Sequence, residues 1–164
     1  MSEVLAGGYG PPYVIAVGNP YRQDDGVGPW VARRLREVGL EVHEVGDDLT
    51  CLSEAWSGVD RAVLIEAVSS GVGPGTLHVF EVGDGPLPAV FSRFSSHTVG
   101  LAEAVELSRV LGTLPNSVLI YGIEGRCFGM GAGLSPEVEK AAGAVVARVL
   151  SDFALFAARP TGSG

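Results

Sequence analysis

The chain alternates short apolar runs with segments of helical periodicity. Tyr13-Val-Ile-Ala-Val-Gly18 is almost wholly apolar and ends on glycine, the pattern of a parallel strand buried on both faces. Val27, Trp30, Val31, Leu35 and Val38 then recur at helical spacing, and Gly39 ends the helix. Residues 41–45 alternate like a strand, and Leu52 to Trp56 reads as a short helix. Arg61-Ala-Val-Leu-Ile-Glu-Ala-Val68 is the clearest central strand, apolar up to Glu66. The connection from Ser69 to Gly75 is too short for a crossover helix, which takes about a dozen residues. Thr76 to Val82 is therefore predicted to run antiparallel to the sheet. A long segment, Gly83 to Ser96, leads to a helix from about Thr98 to Leu111. Ser117 to Glu124 is a further buried strand. Ser135-Pro136-Glu137 opens a last helix, with Ser as N-cap and Pro at the first helical position, running to about Ala157.

The order βαβαββαβα predicts a three-layer α/β sandwich. Its sheet has about five mostly parallel, twisted strands, one of them antiparallel, with helices on both faces. One domain over 13–157 is expected, with an N-terminal extension at 1–12 and a flexible tail at 158–164. No charge-free apolar run approaches the ~20 residues of a membrane span, and Met1 to Pro12 lacks the pattern of a secretory signal.

In such a sheet the binding crevice lies outside the carboxyl ends of the parallel strands. The loop after the first strand carries Asp24 and Asp25, and Glu66 lies near the end of its own strand. The fourteen residues from Gly83 to Ser96 span roughly 40 Å when extended, against ~20 Å for a strand. They can therefore return His97 to the same edge. Each group has a plainer reading. Either aspartate can cap the following helix. Glu66 can be a strand end exposed to water, although a carboxylate inside RAVLIEAV is costly to bury unless paired or bound to a cation. His97 can be a polar helix-start residue. His43 and His78, in alternating strands, read as structural or exposed, and Trp30 and Trp56 as core.

Composition narrows the chemistry. Lys+Arg number 11 and Asp+Glu 19, a net charge of −8, which argues against nucleic acid or an anionic membrane as partner. The three His and two Cys form no C-x-x-C pair, so a thiolate zinc site is excluded and any metal must borrow carboxylate oxygens. Cys51 and Cys127 read as reduced thiols in a cytoplasmic protein. Two carboxylates and an imidazole leave coordination positions open and suit a borderline divalent ion, nickel or zinc alike. G-x-S-x-G, G-x-x-x-x-G-K-[ST] and G-x-G-x-x-G are all absent, so a serine nucleophile elbow or a phosphate-binding loop has no support. The 24 glycines of 164 residues, about twice the ordinary share of ~7%, suggest tight loops around the crevice.

Gly18-Asn-Pro-Tyr-Arg-Gln-Asp-Asp-Gly-Val-Gly28 resembles the opening G-N-x-x-x-x-D-[DE]-G-x-G stretch of the hydrogenase maturation proteases. Leu64-Ile-Glu-Ala-Val68 with Gly73-Pro-Gly75 resembles that family's second segment, and Ser95-Ser-His-Thr-Val-Gly-Leu101 its histidine segment. Gly122-Ile-Glu124 and Gly133-Leu-Ser-Pro-Glu-Val138 resemble its closing strand and last helix. The likeness covers about residues 13 to 150.

The resemblance implies an endopeptidase that removes the C-terminal extension of a [NiFe]-hydrogenase large-subunit precursor after nickel insertion. Nickel then belongs to the substrate, and no permanent cofactor is expected. The family's metal-contacting positions fall on Asp25, Glu66 and His97, the catalytic and metal-binding set that the resemblance implies. The second position is usually Asp; Glu66 keeps the charge and the oxygen ligand and adds a methylene. The expected partner is the precursor, with no nucleic acid and no membrane, and the enzyme is expected to be a monomer. Competing readings are a non-catalytic nickel-sensing chaperone for the precursor, a free-standing zinc metallohydrolase and, most weakly, a nucleotide-binding domain.

Overall fold

The computed structural model describes residues 11–46, 48–91 and 100–157. Five strands form one sheet: β1 (Tyr13–Val17), β2 (Val42–Val45), β3 (Arg61–Val68), β4 (Leu77–Glu81) and β5 (Ser117–Glu124). Their spatial order is β2-β1-β3-β5-β4. β4 alone is antiparallel, pairing with β5 at the sheet edge, as the short connection after β3 requires. The helices are α1 (Val27–Glu37), α2 (Leu52–Ala55), α3 (Leu101–Leu111) and α4 (Pro136–Ala157). α3 is described from Leu101 onward, and its predicted start at Thr98 lies outside the described residues.

The period-2 geometry of the strands divides the core in two. Ile15, Val17, Leu64, Val68 and Ile120 face α2 and α3, meeting Leu52, Trp56, Leu101 and Val105. Val14, Ala16, Val63, Ile65, Tyr121 and Ile123 face α1 and α4, meeting Val31, Leu35, Val138, Ala142 and Val145. β1, β3 and β5 are apolar on both faces because helices cover both, which gives the predicted sandwich. Trp56 is fully buried and its indole N–H donates to Ser108 Oγ at 3.0 Å. Among the described residues no helix is long and apolar enough to cross a membrane.

Two glycines fix the start of α1 against the sheet. A Cβ on Gly28 would lie 2.4 Å from Val17 O and 3.1 Å from Ile65 O, so only glycine lets the helix seat on the ends of β1 and β3. Gly18, at φ +136°, places its α-carbon where a Cβ would come within 2.0 Å of Asp25 O. The chain thus folds back tightly, and a 3-10 turn at Gln23–Gly26 carries both aspartates.

Candidate active site

The adjacent aspartates of that turn have different surroundings. Asp24 is fully buried, and its carboxylate accepts four hydrogen bonds. Arg126 N and Cys127 N donate to Oδ2 at 2.8 and 2.9 Å, Ser135 N to Oδ1 at 2.7 Å, and Ser135 Oγ to Oδ2 at 2.8 Å. Burial alone would raise its pKa, but the donors from Cys127, Ser135 and Arg126 outweigh it, and the carboxyl titrates below its usual range. The helix-cap reading of the aspartates is corrected here. The N-cap of α1 is Gly26, with no side-chain cap bond. Asp24 instead ties its turn to the loop between β5 and α4, and the Ser135 hydroxyl is turned onto Asp24.

Asp25 is also buried. Its Oδ2 accepts a bond from Asn19 N at 3.0 Å, and its own amide donates to Arg22 O at 3.1 Å. Glu66 lies on β3 between Leu64 and Val68 in the period-2 pattern, so it points toward the α2–α3 layer. It is 8% exposed, which rules out the water-exposed strand end. Its Oε2 is buried and has no hydrogen-bond partner among the described residues. Loss of water pushes the carboxyl up to about 8, and the nearby Asp25 charge adds to the effect. The Asp25 charge acts on Glu66, so the two carboxyl groups lie near one another. His97 lies outside the described residues, three residues before Gly100, the N-cap of α3. Among the described residues no three His, Cys, Asp or Glu side chains gather into a metal-holding group; of the three residues expected there, Asp25 and Glu66 are described and His97 is not.

A second polar cluster, which sequence reasoning did not single out, adjoins this edge of the sheet. Glu124, at the end of β5, is 1% exposed and accepts bonds from Ser70 N, Ser70 Oγ and Gly71 N at 2.6, 2.9 and 3.0 Å. His78 Nε2 lies 3.2 Å from Glu124 Oε2. The serine hydroxyl donates to the carboxylate, so this is an anchor for the β3–β4 connection and no Ser-His-acid nucleophile. Register places Glu66, Gly122 and His78 side by side on β3, β5 and β4. A Cβ on Gly122 would come within 2.9 Å of Phe91 Cε1, so the buried Phe91 ring fills the row between the two polar side chains. The expected structural role of His78 holds, with Glu124 as its partner. His43 is exposed and packs its ring 5.8 Å from that of Tyr13. Cys51 and Cys127 are free and exposed.

Trp30 departs from the expected core position. It is partly buried, packed beside the α1–α4 core, with the Arg34 guanidinium 4.8 Å above its ring. Its free edge lines a groove of about 570 Å³ between the aspartate turn, α1 and the start of α4.

This arrangement has counterparts among known proteins. A profile described as "Hydrogenase maturation protease" matches residues 33–152. Protein FrxA of Pyrococcus furiosus is 29% identical over 135 residues, covering 78% of this chain and 94% of that protein. The Hydrogenase 2 maturation protease of Escherichia coli K12 is 28% identical over 133 residues, covering 77% and 80%. The Hydrogenase expression/formation protein HupD of Rhizobium leguminosarum is 25% identical over 120 residues, of which this chain spans only 57% of the length. Among solved structures, the hydrogenase maturating endopeptidase HybD from E. coli superposes with a TM-score of 0.71 at 24% identity, over 89% of this chain and 93% of that one. The [NiFe] hydrogenase maturation protease HybD from Thermococcus kodakarensis gives 0.66 at 25% identity, over 87% and 98%. With the family profile spanning 120 of the 164 residues, the chain belongs to the hydrogenase maturation protease family and is an endopeptidase of that class.

Proposed function

We propose that this chain removes the C-terminal extension of a [NiFe]-hydrogenase large-subunit precursor once nickel is in place, recognising the substrate's nickel through Asp25, Glu66 and His97. The observation that carries the reading is the buried Glu66 carboxyl oxygen with no donor among the described residues, coupled to Asp25. Near pH 7 a carboxyl pushed up to about 8 keeps its proton. A divalent ion entering the site displaces that proton, supplies the missing partner and balances the charge of both carboxylates. Glu66 so acts as a sensor that is charged only when the metal is present. The longer side chain of Glu, where the family usually has Asp, reaches further from β3 toward the metal.

The chemistry is hydrolysis. A water oxygen attacks the scissile carbonyl carbon while a carboxylate of the site takes its proton. The C–N bond then breaks, the proton passes to the departing amine, and the shortened subunit keeps the new carboxylate. The precursor's nickel orients the strand to be cut and lowers the pKa of the attacking water. Asp24 touches no substrate; it holds the turn that presents Asp25.

The test is to mix the protein with nickel-loaded and nickel-free precursor and follow the large subunit by mass spectrometry. Nickel-dependent loss of a C-terminal peptide is the expected result. Cleavage of both forms, or of neither, overturns the proposal. A complex that forms without shortening of the precursor would instead mark a nickel-sensing chaperone. Stoichiometric zinc in the purified protein, by elemental analysis, would mark a free-standing metallohydrolase.

A further inference from the structure

We infer that the groove beside the aspartate turn is the surface that grips the precursor protein, and that it takes an extended acidic segment bearing an apolar anchor. This deepens the proposed function and rests on it. Pro20, Tyr21, Trp30 and Leu134 form the apolar walls, with Arg33 on the α1 side and Glu139 on the α4 side. The groove adjoins the candidate active site, because Gln23 and Gly26, which flank the two aspartates in the turn, also line it. A polypeptide reaching Asp25 therefore has this groove as a path across the surface.

Three features argue for a protein occupant. Tyr21, which lines the groove, is 72% exposed, and Met130, just outside its lining, is 82% exposed. The two lie on neighbouring segments, joined by the bond from Gly131 N to Tyr21 O at 2.9 Å. Aromatic, Met and Arg side chains are the types enriched where proteins dock. The frame is also rigid before binding. Gln23 N donates to Gly131 O and Asp24 N to Cys127 O, both at 2.9 Å, and the Asp24 carboxylate clasps the same loop. Little ordering is then needed when a partner arrives.

Charge selects an acidic occupant. The chain carries a net charge of −8 and repels acidic partners over most of its surface. α1 gathers Arg33, Arg34 and Arg36 on one helix. Arg36 is taken by Glu44 at 2.6 Å, and Arg34 lies over Trp30 and 4.0 Å from Glu37. Arg33, exposed at the groove, makes no ion pair among the described residues. Of the three α1 arginines it is the one left for an incoming carboxylate, while Glu139 turns the acidic end of the segment toward α1. The pairing fixes direction as well as affinity.

Nickel-free precursor serves as the probe, so that groove binding is read apart from metal recognition. Trp30 emission is followed during titration; the signal is assigned by its loss in Trp30→Phe, since Trp56 is fully buried. Saturable binding is expected. Arg33→Glu and Tyr21→Ser should each weaken the Kd by about tenfold or more, the effect of one charge-assisted contact or one apolar anchor. Raising the salt concentration should weaken the wild type more than Arg33→Glu. Lys140→Glu makes the same charge change on α4 outside the groove and should bind like wild type. Wild-type affinity in both groove variants, equal weakening in Lys140→Glu, or no saturable binding by the wild type overturns the inference. If nickel-loaded precursor is bound in this pattern but never shortened, the cleavage reading falls and the groove stands. If Arg33→Glu shortens precursor with the wild-type concentration dependence, the groove falls and cleavage stands.

Discussion

Replacing Glu66 by Gln should stabilise the protein while abolishing its activity, and the gain should depend on pH in a defined direction. In the folded chain the Glu66 carboxyl is pushed from its ordinary 4.5 up to about 8 by burial, with Asp25 contributing. As pH rises from 4.5 the unfolded chain ionises Glu66, whereas the folded chain retains the proton until pH approaches 8. Unfolding then releases a proton, so stability falls with rising pH across that window and is unaffected below it. At pH 7 the chain has crossed about 2.5 units of the window. At ~1.36 kcal/mol per unit this is about 3 kcal/mol. That is a large part of the 5–15 kcal/mol by which a domain is usually stable. Gln keeps the shape and cannot ionise, so Glu66→Gln should match the wild type near pH 4.5 and exceed it by about 3 kcal/mol at pH 7. Urea unfolding at pH 5, 6, 7 and 8, followed through the buried Trp56, reads this directly. Asp25→Asn should flatten the wild-type slope in part, because it removes the smaller cause of the shift. Parallel stability curves for wild type and Glu66→Gln across this range would refute the claim that Glu66 is held uncharged.

Asp25→Asn and His97→Ala should abolish nickel-dependent shortening of the precursor without unfolding the domain; normal processing by either variant removes that residue from the ligand set. Wild-type processing should fall as the medium is acidified through the ordinary His pKa of ~6.5, since an imidazole must be neutral to bind metal, and a rate unchanged at about pH 5 with folded protein would count against His97. Asp24→Asn should lose about 2–4 kcal/mol, because the amide replaces one of the two acceptor oxygens by an NH2 that faces at least the Ser135 N–H, and the remaining bonds lose their charge assistance. The stabilisation from Asp24 should be present above the ordinary carboxyl value and be lost as pH drops through its lowered folded pKa, the opposite slope to that of Glu66. Gly28→Ala should cost about 3 kcal/mol by thermal or urea unfolding, since its Cβ would meet the Val17 carbonyl at 2.4 Å, a backbone atom that cannot swing aside.

The sheet was legible because its strands are buried on both faces and so are written as unbroken apolar runs, and because the connection after β3 is too short to cross over. The positions of Asp25 and Glu66 followed from where β1 and β3 end. Asp24 was not legible. Its partners lie 102 to 111 residues away, and no local spacing marks a carboxylate whose donors belong to a distant loop. The helix-cap reading was the best local one, and tertiary bonding displaced it. The partner of His78 was hidden for the same reason, Glu124 being 46 residues distant on the adjacent strand. Trp30 fits the helical apolar spacing of α1, but periodicity does not distinguish the centre of a buried stripe from its edge, where one side of the ring faces a groove.

Two neighbouring residues of one type thus take opposite roles because of what surrounds them. The Asp24 carboxylate is satisfied by four donors and titrates low. Next to it, Asp25 contributes to the field that keeps Glu66 protonated, and Glu66 keeps an oxygen with no donor among the described residues. A loose loop would let this pair separate, and Glu66 would regain water and ionise. Here the pair cannot separate, because the bonds to Asp24 fix the turn from one side and β3 holds Glu66 from the other. The fold therefore holds Glu66 buried and protonated beside Asp25. On the proposed function this pair favours a metal-bearing substrate over the same polypeptide without metal, and the loop from 125 to 135 acts on that preference through its bonds to Asp24.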